Sequence, residues 1–494
     1  MPSIPNWLSH QALTKGDRHA IYFTGQKWTY AELEVISSQI AIALAQNGIN
    51  RSACVGILMS NCSNYVFLIH ALTKLGAIAA LINTRLSSRE IAWQLQDCQV
   101  ELLIYDRTTA SFIPPESASQ KWRSLDIENL KHSTNAGICH LLQNDIDLDA
   151  VQSIIYTSGT TGNPKGVQIT YGNHWHSAVA SAFNLGMDGS DRWILCLPLY
   201  HVGGLAIVWR SAIAGATAVL HQKFDPEAII QAIATESITT ISLVPTMLTR
   251  ILEHDKFPAS LPYWQNLRGI LLGGAAPHRL LVERCVELNL PIMPTYGLTE
   301  AASQVTALLP KDLARKPGSS GQPLLCNRIK IAAIEDIHTE VAIGEVGQIL
   351  VRGANVMKGY LHQSQVDTLE TGWLRTGDLG YLDREGFLYV VSRRTDLIIS
   401  GGENIYPTEI ETILQMHPAI VEVCAIGTED MEWGQIVTVV AVARQPITLK
   451  EIQEFCTSHQ LARYKLPRLL HLVDSLPKTD TGKISHQQVR ESFT

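Results

Sequence analysis

YTSGTTGNPKGV, residues 156–167, is the stretch on which the reading of this chain turns. It gathers hydroxyls at Thr157, Ser158, Thr160 and Thr161 around Gly159 and Gly162, and Lys165 closes it. The preceding SIIY predicts a buried strand, and 170–185 predicts a helix. The run is therefore expected on a strand-to-helix turn, where backbone N–H groups and hydroxyls can cradle phosphate. It is not the Walker pattern, because Gly166 and not Ser or Thr follows Lys165. A merely flexible Gly/Ser loop would have no use for Pro164-Lys165-Gly166 at a fixed place.

Outward from this run, strand and helix patterns alternate. ACVGILMS (53–60), AIAALI (77–82) and ELLIYD (101–106) are apolar, with helical stretches at 65–75 and from Ser87 or Ser88 through Gln96. Glu90 is placed for a capping box on the latter. The rhythm returns in RWILCLP, TAVLH, TTISLVP, RGILLGG and PIMPTYG. Asp225-Pro226 reads as an N-cap with proline in the first turn. Such alternation predicts an α/β fold with parallel-rich βαβ sheets covered on both faces. From about Gly344 strands crowd together, as in GQILVRG and GFLYVVS, which predicts a β-rich subdomain. The last hundred residues read as a small α+β domain, with the boundary at the charged RRTD (393–396). The expected division is 1–392, a hinge at 393–395 and 396–494.

The chain has 494 residues, too many for one core, so more than one domain is required. Its formal net charge is −7 and no basic cluster stands out, which argues against nucleic acid or an anionic membrane as partner. Nine cysteines lie singly with no CxxC pair, which argues against a disulfide framework or a zinc site and fits a reducing cytoplasm. The first twenty residues lack a signal-peptide core. His70, Thr73 and Lys74 interrupt the longest apolar run (66–82), so no membrane insertion is expected. Whether the chain is a monomer or a homo-oligomer is left open.

The phosphate run resembles that of the adenylate-forming superfamily: acyl-CoA synthetases, luciferase and peptide-synthetase adenylation domains. That resemblance implies activation of a small carboxylic acid with ATP and Mg²⁺, and it extends from about Gly48 to the C-terminus. Thr157, Ser158, Gly159, Thr160, Thr161, Gly162 and Lys165 would cradle the phosphates that leave as pyrophosphate. In TYGLTE (295–300) it implies adenine stacking at Tyr296, beside Gly297, phosphate contact at Thr299 and Mg²⁺ at Glu300, a suitable hard oxygen ligand. LLGGAAP (271–277) supplies Gly273, Gly274 and Ala275, where a backbone bare of side chains admits a flat ligand. Asp378 in TGD and Arg393 in SRRTD would hold the ribose, since a carboxylate accepts from both hydroxyls of a diol. Lys483 in PKTDTGKI would bridge the acyl carboxylate and the α-phosphate, stabilising charge that grows in the transition state.

SGGENIYPTEIE (400–411) marks the CoA-ligating branch. There a mobile C-terminal domain rotates, Lys483 leaves, and Gly401 and Gly402 line the path of CoA. The hinge position falls on Thr395, where relatives often carry Asp or Lys. LPLYHVGGLAIVWRSAIAGA (197–216) lacks the aspartate with which amino-acid-activating relatives hold the substrate ammonium. It carries one cation, Arg210, in an apolar run, and a buried cation needs an acceptor or anion. Ser303 and Gln304 follow TYGLTE, and His201 would border and gate the acyl pocket, with Gly274 as another wall. Together these motifs are similar to the o-succinylbenzoate-activating branch, which serves menaquinone and phylloquinone biosynthesis. The alternatives are another aryl- or acyl-CoA synthetase, a stand-alone adenylation domain, or an inactive nucleotide sensor.

Overall fold

The structure is a computed structural model. It describes residues 3–115, 122–130, 141–157, 164–275, 277, 279–333, 336–363, 369–370, 372–393, 398–405, 407–477, 484 and 486–493. The fold is mixed α/β, with a large N-terminal and a small C-terminal part. Two sheets organise the former. In one, Val151–Thr157, Ile78–Leu81, Cys54–Leu58, Leu102–Tyr105 and Arg123–Asp126 run parallel in that spatial order. In the other, six strands from Ile292–Leu298 through Gly269–Leu272 to His19–Phe23 are parallel, with antiparallel strands added at both edges.

Period-two patterning explains how each strand buries both faces. Trp193 and Leu195 enter a core shared by the two sheets, whereas Ile194 and Cys196 enter a second core on the opposite face. Val55 and Ile57 likewise face the shared core, and Cys54 and Leu58 a third. Helices fill the layers, starting where the caps predict. Ser87 and Glu90 form the capping box of Ser88–Asp97, and Asp225 caps Pro226–Thr235. Among the described residues no helix is long and apolar enough to cross a membrane.

One expectation is corrected. Residues 156–167 do not lead from a strand into a helix. Val151–Thr157 is followed by a second strand, Lys165–Thr170, which returns antiparallel to it. Val167 and Ile169 are buried on this strand, and the helix begins only after Thr170, in a capping box with Asn173. The run therefore stands between two antiparallel strands, and the helix follows the second of them.

An antiparallel five-stranded sheet follows, ending at Leu388–Arg393. Ile398–Ser400 opens another, whose long hairpin joins Ile420–Asp430 to Gly434–Ala443 and whose core is separate. The hinge candidate Thr395 lies outside the described residues.

Candidate active site

A cavity of about 730 Å³ opens where the hairpin, the strand ends of the nine-stranded sheet, the antiparallel sheet and the C-terminal part meet. Ligand sites at the carboxyl ends of parallel strands are the rule in open α/β sheets. Thr157 and Lys165 stand on the hairpin side; Ser158, Gly159, Thr160, Thr161 and Gly162 lie outside the described residues. The Lys165 ammonium sits 5.1 Å from the centroid of the Tyr360 ring.

Thr295, Gly297, Thr299 and Glu300 line the next wall. Glu300 Oε1 accepts from Tyr360 Oη at 2.9 Å and Thr157 Oγ1 at 3.3 Å. Such bonds orient a carboxylate as outer-sphere partners orient metal ligands. Tyr296 and Asp378 are both buried, 8% and 3% exposed, and neither lines the cavity. Tyr296 Oη donates to Asp378 Oδ2 at 2.6 Å, joining two residues expected to touch adenine and ribose separately. Thr376 and Gly377 reach the cavity instead. Arg393 ends its strand opposite Asp378; nothing is described of its side chain. Gly273 and Gly274 line the cavity, but Ala275 does not.

Another wall of the cavity carries a buried cation. Arg210 lies on helix Val202–Ala214, is only 3% exposed, and borders the cavity. Its Nη2 donates to Ser303 Oγ at 3.2 Å, and the guanidinium lies 5.4 Å from the centroid of Trp193. Among the described residues it has no carboxylate partner, and its buried Nε has no acceptor. Burial pushes the guanidinium down to about 9. It is a buried cation lacking an anion. Ser303 is aimed at it by an irregular turn: Ala302 and Ser303 have φ of +48° and +102°, with Leu298 opposite Ser303 and Gly297 opposite Gln304. A Cβ at Gly297 would lie 2.0 Å from the Ser303 carbonyl oxygen, so only glycine fits. Backbone strain of this kind collects at ligand sites. Gln304 is buried behind this wall, its Oε1 accepting from Ser181 Oγ at 2.8 Å, while still touching the cavity.

The C-terminal part closes the cavity with Gly401, Gly402, Glu403, Tyr464 and Lys465. Gly401 and Gly402 have φ of +56° and +82°, a region that favours glycine. His201 Nε2 lies 3.3 Å from Glu403 Oε1, and Arg85 Nη1 donates to the same oxygen at 3.1 Å. Burial pushes the Glu403 carboxyl up, but His201, Arg85 and Lys465 outweigh it and hold it below its ordinary range. Lys465 is 5% exposed and donates to Glu90 Oε1 at 2.7 Å and Glu409 Oε1 at 2.9 Å, tying the two parts together. Sequence reasoning did not single out Arg85, Glu403, Tyr360 or Lys465, and it read Glu90 only as part of a capping box. Of the first four only Glu403 sits in a quoted motif, and charged residues elsewhere on a chain carry no mark of their partners. Lys483 lies outside the described residues.

Residues 8–361 match the AMP-binding enzyme family, and 409–483 match the AMP-binding enzyme C-terminal domain. The chain belongs to the AMP-binding enzyme family. It is 40% identical to the 2-succinylbenzoate–CoA ligase of Bacillus pumilus (strain SAFR-032), over 98% of this chain and 97% of that one. It resembles the o-succinylbenzoate CoA synthetase of Bacillus subtilis, as a double mutant bound with its product analogue OSB-NCoA, with a TM-score of 0.90, 39% identity and 99% of each chain covered. The same enzyme in complex with the acyl-adenylate intermediate OSB-AMP gives 0.74, at 38% identity and 99% coverage of each chain.

Proposed function

We propose that this protein is an AMP-forming ligase that joins 2-succinylbenzoate to CoA and serves menaquinone or phylloquinone biosynthesis in the cytoplasm. The observation that carries the substrate is Arg210, a buried cation on the cavity wall with no carboxylate partner among the described residues. 2-Succinylbenzoate has one carboxylate to activate and another to hold, and a guanidinium suits the second. The relatives named 2-succinylbenzoate–CoA ligase support the same choice.

The activated carboxylate attacks the α-phosphorus of ATP, and pyrophosphate leaves. The CoA thiol, giving up its proton to solvent, then attacks the acyl carbon, and AMP leaves with the bonding electrons. Thr157, Lys165 and Thr299 would face the phosphates, with Ser158 through Gly162 completing the cradle. Glu300 would hold Mg²⁺, and its two orienting hydrogen bonds fit that duty. The ion would neutralise phosphate charge. Gly273, Gly274 and Ala275 would face adenine. Tyr296 and Asp378 would serve the nucleoside as a linked pair, with Arg393 beside them. Ser303 and Gln304 would frame the acyl group, and His201, held by Glu403, would gate it.

We assign 1–392 to the catalytic domain, 393–395 to a hinge at Thr395 and 396–494 to a lid that brings Lys483 for adenylation. The higher likeness to the product-analogue complex supports the thioester-forming orientation for this structure. In that orientation Gly402 borders the path of the pantetheine arm. Gly402→Leu should therefore load with tightly bound acyl-AMP yet make little thioester; normal CoA turnover would remove Gly402 from the path. Lys465→Met leaves the half-buried Glu90 and Glu409 carboxylates without their shared buried cation. Breaking a buried pair costs about 3–5 kcal/mol. Some 1.4 kcal/mol of that, felt in this orientation, slows transfer to CoA about tenfold. Pyrophosphate release should be spared, and equal slowing of both half-reactions would contradict the latch.

Incubation with 2-succinylbenzoate, ATP, Mg²⁺ and CoA should give the thioester, AMP and pyrophosphate in equal amounts. Release of ADP and phosphate would exclude an adenylate route.

A further inference from the structure

The C-terminal domain brings together three side chains that its sequence keeps far apart. Glu411 lies on helix Pro407–Leu414, Cys424 on strand Ile420–Asp430, and His486 opens helix His486–Phe493. One ligand atom from each lies within 4.8 Å of the other two. Cys424 is fully buried, the Glu411 side chain is 10% exposed, and the His486 side chain is 22% exposed. Glu411 Oε1 accepts from His486 Nε2 at 2.7 Å and from the Ala425 backbone N–H at 2.8 Å. None of the three lines the catalytic cavity.

Thiolate, imidazole and carboxylate form a donor set suited to zinc. With bonds of about 2.0–2.3 Å, a tetrahedral ion separates its ligand atoms by about 3.3–3.7 Å. Here Glu411 Oε1 and His486 Nε2, 2.7 Å apart, need to part, their hydrogen bond giving way to two metal bonds, and Cys424 Sγ lies within 4.8 Å of both. The Ala425 N–H already orients the carboxylate, as an outer-sphere partner does. The half-buried imidazole leaves a side for entry and for a water as fourth ligand. A Mg²⁺ site would carry several oxygen ligands and no sulfur.

We infer that Glu411, Cys424 and His486 form a zinc-binding site that staples helix His486–Phe493 to the C-terminal domain. His486 comes three residues after Lys483 in the chain, so the staple anchors the segment that leads out from that lysine. Helix His486–Phe493 also packs through Val489 and Phe493 on a small core that includes Cys424 and Leu476. Zinc bound to the folded domain alone raises its stability by mass action. On binding, the Cys424 thiol and the His486 imidazolium give up their protons to solvent.

The test uses the full-length protein in excess Mg²⁺, with Zn²⁺ and then Co²⁺ as probes. Competition against a chromophoric chelator should find one equivalent of Zn²⁺. Co²⁺ should give a thiolate charge-transfer band and the visible spectrum of a four-coordinate ion. Cys424→Ser should remove the band, and His486→Asn should weaken Zn²⁺ by more than the roughly 10–100-fold that follows loss of an outer-sphere partner. Zn²⁺ should raise the thermal midpoint of the unaltered protein and not of these variants. Cys326, exposed on the N-terminal part, is the control: Cys326→Ser should change nothing. A wild-type protein with no charge-transfer band, or a band that survives Cys424→Ser, overturns the site. The first outcome stands even if a variant fails to fold.

Discussion

Lys483→Ala should cut pyrophosphate release from acid plus ATP by at least about 10²–10³-fold, the usual cost of removing one preorganised group from developing charge. Thioester formation from pre-made acyl-adenylate should survive nearly intact. The five-coordinate α-phosphorus forms only in the first half-reaction, and an ammonium that the proposed lid rotation withdraws before CoA attacks acts on that step alone. In the arrangement described here the cavity is closed by Gly401, Gly402, Glu403, Tyr464 and Lys465. Both half-reactions are followed separately, by pyrophosphate release and by single-turnover thioester formation. Equal loss in the two would contradict a lid that serves each step with different residues.

Arg210→Ala should lower kcat/KM for 2-succinylbenzoate by one to two orders of magnitude, and the loss should be selective. A hydrogen bond to a charged group contributes about 1.5–3 kcal/mol, which is about ten- to a hundredfold. An analogue lacking the aromatic carboxylate has no anion to lose and should be far less affected. Lysine at this position should rescue in part, since it keeps the charge without the bidentate fork. The change also removes a buried cation that has no carboxylate partner among the described residues, so folding should not suffer a broken ion pair. Equal losses for both acids would make Arg210 a structural residue, its guanidinium serving Ser303 and Trp193.

Much of the fold was legible because its signals are local. The apolar strands at 54–58, 78–81 and 192–195 and the caps at Ser87 and Asp225 act within a few residues. The hairpin at 156–167 was missed because the second strand, KGVQIT, is short and runs straight into a capped helix. Contacts across long separations left no trace. Tyr296 and Asp378 stand in separate motifs 82 residues apart, and neither motif announces their hydrogen bond. The positive φ of Ala302 and Ser303 belongs to the tight turn that joins two antiparallel strands, and no glycine or asparagine at those positions announces it. Cysteines scattered singly argued against a zinc site, yet the fold sets Cys424 beside Glu411 and His486. Arg210 was visible as the one charge in an apolar run, but only the structure gives its burial and its lack of an anion.

The central claim is the acid. CoA-dependent AMP release, measured across 2-succinylbenzoate, benzoate, succinate, 4-coumarate and medium-chain fatty acids, tests it most directly. The account predicts that 2-succinylbenzoate exceeds every other acid in kcat/KM by at least the ten- to hundredfold expected of the Arg210 contact. Equal or better turnover of 4-coumarate or a fatty acid would contradict it.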